Sequence, residues 1–381
     1  MGARMLRPLL HLAALAPAAG YEARAVRAWR SRARSRTAMA QPGELPRGPY
    51  LDRGLARQLV FNQLAVGYTI WTGGVGAEIL EKQVHLDSPA PWLVGTLAAL
   101  PVLALGRAVE TSDSPLFTTL NLSTDAIVER LLGEVKQPVF ALLVSVLLAL
   151  LTGVCEEIIF RGGVLPALAS YAVTEGFADT LAAGVPFGVA ASSVLFSLGH
   201  LPFLGLARGE VRAFFSADTL VLFALQLATG GSFALTFVFT GSLTAAIVAH
   251  FLYDFYTLYA THLAVTDQIA YSKSPLPPLP QQSLAAMRWR MAKGGRYVDG
   301  ARRVFLRMDT NRDDAISRGE LRQGLAMMGL RLSSKTLEQS FAMADLDTSG
   351  DIDFEEFLDF VGSADTEASR TIKASLLGVR A

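Results

Sequence analysis

Five long stretches of the 381-residue chain contain no aspartate, glutamate, lysine or arginine. They cover residues 58–77, 88–106, 137–155, 180–207 and 219–253, or 20, 19, 19, 28 and 35 residues. A helix of about 20 apolar residues crosses the hydrocarbon core of a bilayer. The last stretch is too long for one span and breaks at Thr240-Gly241-Ser242, so we expect a second helix to continue to Val265. The sequence therefore predicts an all-α, polytopic helical membrane bundle of about six spans.

Charge divides the chain into four parts, although its 34 basic and 34 acidic residues cancel. The net charge is +8 over residues 1–57, −9 over 58–270, +7 over 271–308 and −6 over 309–381. A balance of zero argues against nucleic acid as a partner. The single cysteine excludes a disulfide framework and any zinc site built from cysteines.

The first 40 residues contain eight arginines and one acid, Glu22. Arginine-rich, acid-poor N-termini are typical of mitochondrial and plastid transit peptides. The apolar stretch Leu9–Gly20 also resembles the core of a short secretory signal. The two features in series favour a plastid address for the integral membrane protein, with the mitochondrion and the endoplasmic reticulum as alternatives. We expect a targeting segment at residues 1–45, and a disordered basic tail is the other interpretation.

Three of the apolar segments carry ionisable side chains. They read Glu156-Glu157-x-x-x-Arg161, Phe196-x-x-x-His200 and His250-x-x-x-Asp254. An intramembrane charge is costly unless it is paired or faces a polar cavity. Glu157 and Arg161 are four residues apart and can form an ion pair on one helix face. Glu156 then points roughly 100° away, while His250 and Asp254 share one side of their helix.

Such groups can converge inside a helical bundle. A carboxylate and two imidazoles from different helices can bind a divalent metal or activate water, with glutamate as general base. Each motif also has a structural interpretation: a solvated helix face, a helix–helix hydrogen bond, or an aspartate that reaches the interface. Their occurrence together on successive apolar segments favours a joint site. Cys155 beside the glutamates is interpreted as a small buried thiol rather than a nucleophile.

The ordered set of motifs resembles the CAAX protease and bacteriocin-processing enzyme family of intramembrane proteases. The signature of that family is EExxxR, then FxxxH, then HxxxN or HxxxD, each on its own transmembrane helix. The resemblance covers roughly residues 137–265. It implies a helical membrane endopeptidase that cuts a membrane-associated protein or peptide near its C-terminus or inside a membrane segment.

The resemblance also implies a role for each residue. Glu156 and His200 would hold and deprotonate the attacking water. His250 and Asp254 would stabilise the oxyanion or complete a site for a divalent metal such as zinc, which makes a metalloendopeptidase one reading. Glu157 with Arg161 would orient the helix end. Asp254 stands where prenyl-protein proteases of the family tend to carry asparagine, and this favours metal binding or a different substrate.

Two acidic twelve-residue loops lie 36 residues apart in the C-terminal part of the chain. The second, at residues 345–356, fits the EF-hand pattern for calcium, in which oxygen ligands alternate along the loop and Gly350 makes the sharp turn. Its expected ligands are Asp345, Asp347, Ser349, Asp351, Asp353 and Glu356. We expect Ile352 to pair with Ile316 of the first loop.

The first loop, at residues 309–320, keeps the ligands but has aspartate where glycine is expected. Its expected calcium ligands are Asp309, Asn311, Asp313, Ala315 and Glu320. Asp314 must adopt a positive φ, which aspartate tolerates at a cost, so we expect the weaker affinity here. The module at residues 297–362 resembles a calmodulin-type EF-hand pair.

A proline-rich and basic linker at residues 271–296 is expected between the membrane domain, residues 46–270, and the EF-hand pair. Its Leu284–Lys293 segment is basic and amphipathic. It could lie on the membrane surface, bind to the EF-hand pair, or form the first helix of the C-terminal domain. Residues 363–381 are expected to form a tail.

The sequence thus predicts a calcium-responsive intramembrane endopeptidase. The first alternative is a non-catalytic, calcium-responsive membrane scaffold or assembly factor, in which the same polar groups hold helices together. A transporter is less favoured because the chain has neither an internal repeat nor paired broken helices.

Overall fold

The computed structural model describes residues 49–72, 76–112, 114–201, 214, 216–273, 284–328, 330, 332–363 and 365–377. The expected targeting segment at residues 1–45 and the proline-rich part of the linker lie outside these ranges. Within them the chain is helical, apart from turns, loops and one isolated β-bridge. The all-α expectation is therefore confirmed.

The membrane part contains nine α-helices in the described ranges. These are α1 Arg53–Thr72, α2 Gly76–Gln83, α3 Pro89–Glu110, α4 Pro115–Leu132, α5 Pro138–Glu157, α6 Leu165–Thr174, α7 Leu181–Gly199, α8 Ala217–Thr240 and α9 Leu243–Lys273. A π-helix, Ile158–Val164, joins α5 to α6. Together the three segments form one helical stretch, Pro138–Thr174, of 37 residues.

Four helices among the described residues are long and apolar enough to cross a membrane. They are Pro89–Glu110, Pro138–Thr174, Leu181–Gly199 and Thr219–Thr240, and they coincide with four of the six expected spans. The other two expected spans are helical as well, in α1 and α9. Both carry polar side chains, such as Gln63 in α1 and His250 and Asp254 in α9, which lower their hydropathy.

Helix α9 connects the bundle, because it packs against α3, α4, α5 and α8. Glycines allow the helices to approach closely. At Gly95 of α3, a Cβ atom would lie 2.4 Å from the carbonyl oxygen of Ala245 in α9. At Gly184 of α7, a Cβ atom would lie 2.4 Å from the carbonyl oxygen of Ala169 in α6. Small residues at helix contacts are typical of membrane bundles, where close van der Waals packing drives association.

The C-terminal module contains six helices in the described ranges. These are α10 Leu284–Lys293, α11 Gly295–Met308, α12 Arg318–Met327, α13 Ser334–Ala344, α14 Phe354–Ser363 and α15 Glu367–Leu377. Phe305, Phe341 and Phe357 are fully buried in its core. The expected pairing of Ile316 with Ile352 is confirmed by two backbone hydrogen bonds of 2.8 and 3.0 Å.

Two helices extend this module beyond the EF-hand pair itself. Helix α10, in the expected linker, buries Ala285 in the core of the module, and Trp289 donates from Nε1 to Asp359 Oδ1 across 2.7 Å. Helix α15, in the expected tail, buries Ile372 in the same core. Of the three interpretations of the Leu284–Lys293 segment, the structure favours the two that place it against the EF-hand helices.

Candidate functional site

The three membrane motifs converge on one largely buried cluster. Glu156 and Glu157 are the last two residues of α5, and Arg161 lies in the π-helix that follows. His200 comes directly after α7, and His250 lies in α9 one turn before Asp254. The structure therefore brings together all six residues that the sequence singled out in the membrane.

Glu157 is the centre of a buried ionic network. Its Oε1 accepts hydrogen bonds from Arg161 Nη1 at 3.0 Å and from His250 Nδ1 at 2.8 Å. The expected ion pair four residues apart is thus confirmed, and both of its side chains are fully buried. A buried charge needs both a counterion and hydrogen bonds. Here one carboxylate oxygen ties α5 to the π-helix and to α9.

Phe196 explains the first position of the FxxxH motif. The Arg161 guanidinium carbon lies 4.6 Å from the centroid of the Phe196 ring, a cation–π distance. The His200 ring lies 4.6 Å from the same centroid. Arg161 also donates from Nη2 to the backbone oxygen of Gly230 in α8 across 2.6 Å, where a Cβ atom would lie 2.7 Å from the Phe196 ring. Phe196 therefore packs against both the arginine and the histidine.

Glu156 faces the two histidines with one oxygen. Its Oε2 lies 3.9 Å from His200 Nε2 and 4.0 Å from His250 Nε2. Its other oxygen, Oε1, accepts a hydrogen bond of 2.8 Å from Gln63 Nε2 in α1. Oε2 is buried and has no hydrogen-bond partner among the described residues. Asp254 Oδ2 completes the cluster at 3.5 Å from His250 Nε2.

Both imidazoles are oriented through Nδ1. His200 Nδ1 lies 2.8 Å from the backbone oxygen of Phe196, and His250 Nδ1 contacts the Glu157 carboxylate. Because a carbonyl oxygen and a carboxylate only accept hydrogen bonds, each Nδ1 must carry the proton. In the neutral imidazole the Nε2 atom then has a free lone pair. Both Nε2 atoms lie close to Glu156 Oε2, at 3.9 and 4.0 Å.

The cluster contains carboxylate and imidazole groups, which bind metals, but these groups lie farther apart than the ligands of a bound zinc ion. Zinc bonds of about 2.0–2.2 Å place tetrahedral ligand atoms roughly 3.4 Å apart, closer than the carboxylate–imidazole distances of 3.9 and 4.0 Å. Among the described residues, only Asp345, Asp347 and Glu356 of the second calcium loop place three carboxylate or imidazole ligand atoms within 4.8 Å of one another. The membrane cluster as it stands does not close around an ion.

The calcium loops have the same internal arrangement. Glu320 Oε1 accepts from the backbone of Thr310 at 2.7 Å, and Glu356 Oε1 accepts from that of Leu346 at 2.7 Å. At the sixth loop position Asp314 has φ 63° and Gly350 has φ 99°. The positive φ expected for Asp314 is therefore confirmed. The carboxylates of Asp345, Asp347 and Glu356 in the second loop converge as calcium ligands would require.

Sequence reasoning missed two contributors to the membrane cluster. Gln63 lies in the first apolar stretch, residues 58–77, and its contact with Glu156 depends on the packing of α1 against α5. Gly230 contributes its backbone oxygen to Arg161. A side-chain amide within an apolar stretch was the available signal for Gln63, since buried polar groups need partners.

Comparison with known proteins gives one family match for the membrane part of the chain and one for its C-terminal part. A family model described as type II CAAX prenyl endopeptidase Rce1-like matches residues 138–256, and a model described as an EF-hand domain pair matches residues 299–362. No solved structure matches the chain.

Three curated proteins are similar to a short part of the chain. Calcium-dependent protein kinase 34 of Arabidopsis thaliana is 44% identical over 61 residues, which is 16% of this chain and 12% of the kinase. Calcium-dependent protein kinase 2 of Zea mays is 38% identical over 61 residues, again 16% and 12%. Calcium-binding protein CML37 of A. thaliana is 41% identical over 68 residues, which is 18% of this chain and 37% of that protein. The chain thus spans well under half the length of these relatives.

The two family matches include the three membrane motifs and both calcium loops. The fusion expected from the sequence is therefore confirmed. This chain carries a CAAX prenyl endopeptidase Rce1-like domain in its membrane part and an EF-hand pair in its C-terminal part.

Proposed function

We propose that the protein is an intramembrane endopeptidase of the CAAX protease type that responds to calcium through its EF-hand pair. The observation that carries the proposal is the open gap in front of Glu156 Oε2, 3.9 Å from His200 Nε2 and 4.0 Å from His250 Nε2. These distances exceed a direct hydrogen bond and suit groups bridged by one water. A water bound there would touch a general base and two imidazoles.

That water would be the nucleophile in peptide hydrolysis. Glu156 accepts its proton while the oxygen bonds to the substrate's carbonyl carbon, and the same proton passes to the amide nitrogen as the carbon–nitrogen bond breaks. His200 accepts a hydrogen bond from the water at Nε2. In its imidazolium form, His250 donates from Nε2 to the oxyanion, and Glu157 at 2.8 Å from Nδ1 balances the positive charge.

We propose α1 and α9 as the fifth and sixth spans. Both pack against α5, and both direct polar side chains into the site: Gln63 contacts Glu156, and His250 contacts Glu157. Intramembrane polar groups that face the interior of a bundle are compatible with a span of modest hydropathy.

The proposed substrate is a membrane-associated protein or peptide that is cut near its C-terminus or within a membrane segment. Asp254, beside His250 Nε2, makes the site more negative than one with asparagine there. This supports either a substrate other than a prenylated C-terminus or a metal that draws the carboxylates together. A plastid membrane is the proposed location, on the basis of the arginine-rich N-terminal segment.

The calcium response is proposed from the contact between α9 and the EF-hand module. Gln268 of α9 donates from Nε2 to the backbone oxygens of Leu306 at 2.8 Å and Asp309 at 2.7 Å. Asp309 is the first residue of the first calcium loop, and α9 is the helix that carries His250. A change in this loop on calcium binding would therefore act directly on the helix that holds the catalytic imidazole.

Comparing the termini of membrane proteins in cells tests the proposal. Cells with Glu156→Gln should accumulate uncut membrane proteins, whereas the matched control Cys155→Ala, next to it on α5, should have wild-type termini. Prenylated and non-prenylated proteins among the uncut set identify the substrate class. Identical termini with both variants would favour the non-catalytic scaffold. On the purified protein, activity that is lost with a chelator and restored by zinc would establish the metal form.

A further inference from the structure

We infer that Gln63 is a positioning residue for Glu156, an inference that rests on the proposed peptidase function. Gln63 lies in α1, outside residues 138–256 that match the protease family. Its Nε2 donates to Glu156 Oε1 across 2.8 Å. The general base is therefore held by a helix that the family match does not include.

The contact selects one orientation of the Glu156 carboxylate. With Oε1 bound by the amide, Oε2 is the oxygen that faces the ring nitrogens of His200 and His250. Oε2 has no hydrogen-bond partner among the described residues, so it remains available for a water or a substrate. A base held in its reactive orientation does not have to lose rotational freedom in the transition state.

The two neighbouring carboxylates have partners of different charge. Glu157 is bound by the Arg161 guanidinium and by His250. Glu156 receives its hydrogen bond from a neutral amide instead. A neutral donor fixes a carboxylate without pairing its charge, and differing environments let two adjacent carboxylates take different roles. This arrangement indicates a structural role for Glu157 and proton transfer by Glu156.

Gln63 also has an unused acceptor. Its Oε1 is buried and has no hydrogen-bond partner among the described residues. A buried carbonyl oxygen without a partner is uncommon in a folded protein, and a bound water would satisfy it. The side chain thus has one atom for the general base and one for a water of the site.

Steady-state kinetics of purified Gln63→Met tests the inference, because methionine keeps the length of the side chain and removes both polar atoms. We expect kcat to fall roughly ten- to hundredfold, the range of one hydrogen bond to a charged group, with KM changed less than about twofold. The control is Phe61→Leu on the same helix, where the side chain is 70% exposed. A wild-type kcat in Gln63→Met, with activity still dependent on Glu156, would overturn the inference and leave the proposed function intact.

A double-mutant cycle gives an answer that does not depend on activity. Unfolding temperatures are measured for wild type, Gln63→Met, Glu156→Ala and the double variant in detergent, because alanine removes the acceptor of the Gln63 hydrogen bond. Direct coupling predicts shifts that do not add. If the wild type cleaves no peptide, the proposed function is wrong. The cycle then tests the Gln63–Glu156 contact by itself. Additive shifts in unfolding temperature would overturn the contact, and non-additive shifts would support it.

Discussion

His250 of α9 is held by Glu157 of α5, with Nδ1 of the imidazole 2.8 Å from Oε1 of the carboxylate. The same oxygen receives Arg161 Nη1 at 3.0 Å. All three side chains are buried. One carboxylate therefore links a helix end, a π-helix and the helix that carries the second imidazole, and it turns that imidazole toward Glu156.

Removal of Glu157 should destabilise the membrane domain more than removal of one partner of an exposed ion pair. Glu157→Ala leaves Arg161 buried without a counterion, and breaking a buried pair in this way costs about 3–5 kcal/mol. The measurement is the free energy of unfolding in detergent. The control is Glu78→Ala, since the Glu78 and Lys82 side chains are 54% and 68% exposed, and we expect a much smaller change there because exposed ion pairs contribute little to stability. Equal effects of the two variants would contradict a structural role for Glu157.

Replacing Asp314 by glycine should tighten calcium binding by the first loop. Asp314 has φ 63°, and a non-glycine residue in this region costs of order 1 kcal/mol. Relief of that strain corresponds to about a fivefold higher affinity, measured by calorimetric titration of Asp314→Gly. Asp314→Asn removes the charge but keeps the side chain and controls for electrostatics. An equal affinity of the two variants would show that the backbone strain is not what weakens the loop.

Calcium should leave the first loop at a higher pH than the second. Burial, together with the Glu320 and Asp313 carboxylates, raises the pKa of Asp309 above its usual value. Hydrogen bonds from Ser349 lower the pKa of Asp347 in the second loop. Because calcium binds the ionised carboxylates, a raised pKa means that protons compete at a higher pH. As the pH falls, the first loop therefore weakens before the second.

Single-loop variants separate the two titrations. Glu356→Gln removes the last ligand of the second loop and leaves the first to be measured, and Glu320→Gln does the reverse. Calcium affinity is then determined for each at steps between neutral pH and about pH 4, near the ordinary pKa of aspartate. If the calcium affinities of the two variants fall in parallel as the pH is lowered, the different pKa values of Asp309 and Asp347 do not control calcium release.

Gln268 should carry the calcium response. In Gln268→Ala the hydrogen bonds from α9 to Leu306 and Asp309 are lost, so we expect similar basal turnover and a smaller difference between calcium and chelator. By reciprocity the coupling also acts on binding, so calcium affinity of the first loop should change as well. The control is Asp267→Asn, at an exposed ion pair with Lys136. A full calcium response in Gln268→Ala would show that these hydrogen bonds from α9 do not couple the first calcium loop to the membrane site.

The local features of both sites could be predicted from spacing alone. The Glu157–Arg161 pair and the Ile316–Ile352 bridge follow from the geometry of a helix turn and of an EF-hand pair. The π-helix at Ile158–Val164 could not be predicted, because its hydrogen-bond register is decided by packing. The Gln63 contact depends on how α1 meets α5, which one sequence does not reveal. For the same reason, the amphipathic pattern of α10 left open which surface covers it.

The most direct test of the account is the turnover of purified Glu156→Gln compared with wild type on one membrane-associated peptide substrate. Loss of a general base lowers kcat roughly 100- to 10,000-fold, and the unfolding temperature should stay close to that of wild type because Glu156 is not part of the Glu157–Arg161–His250 network. A folded Glu156→Gln that cleaves the peptide at the wild-type rate would contradict the proposed peptidase mechanism.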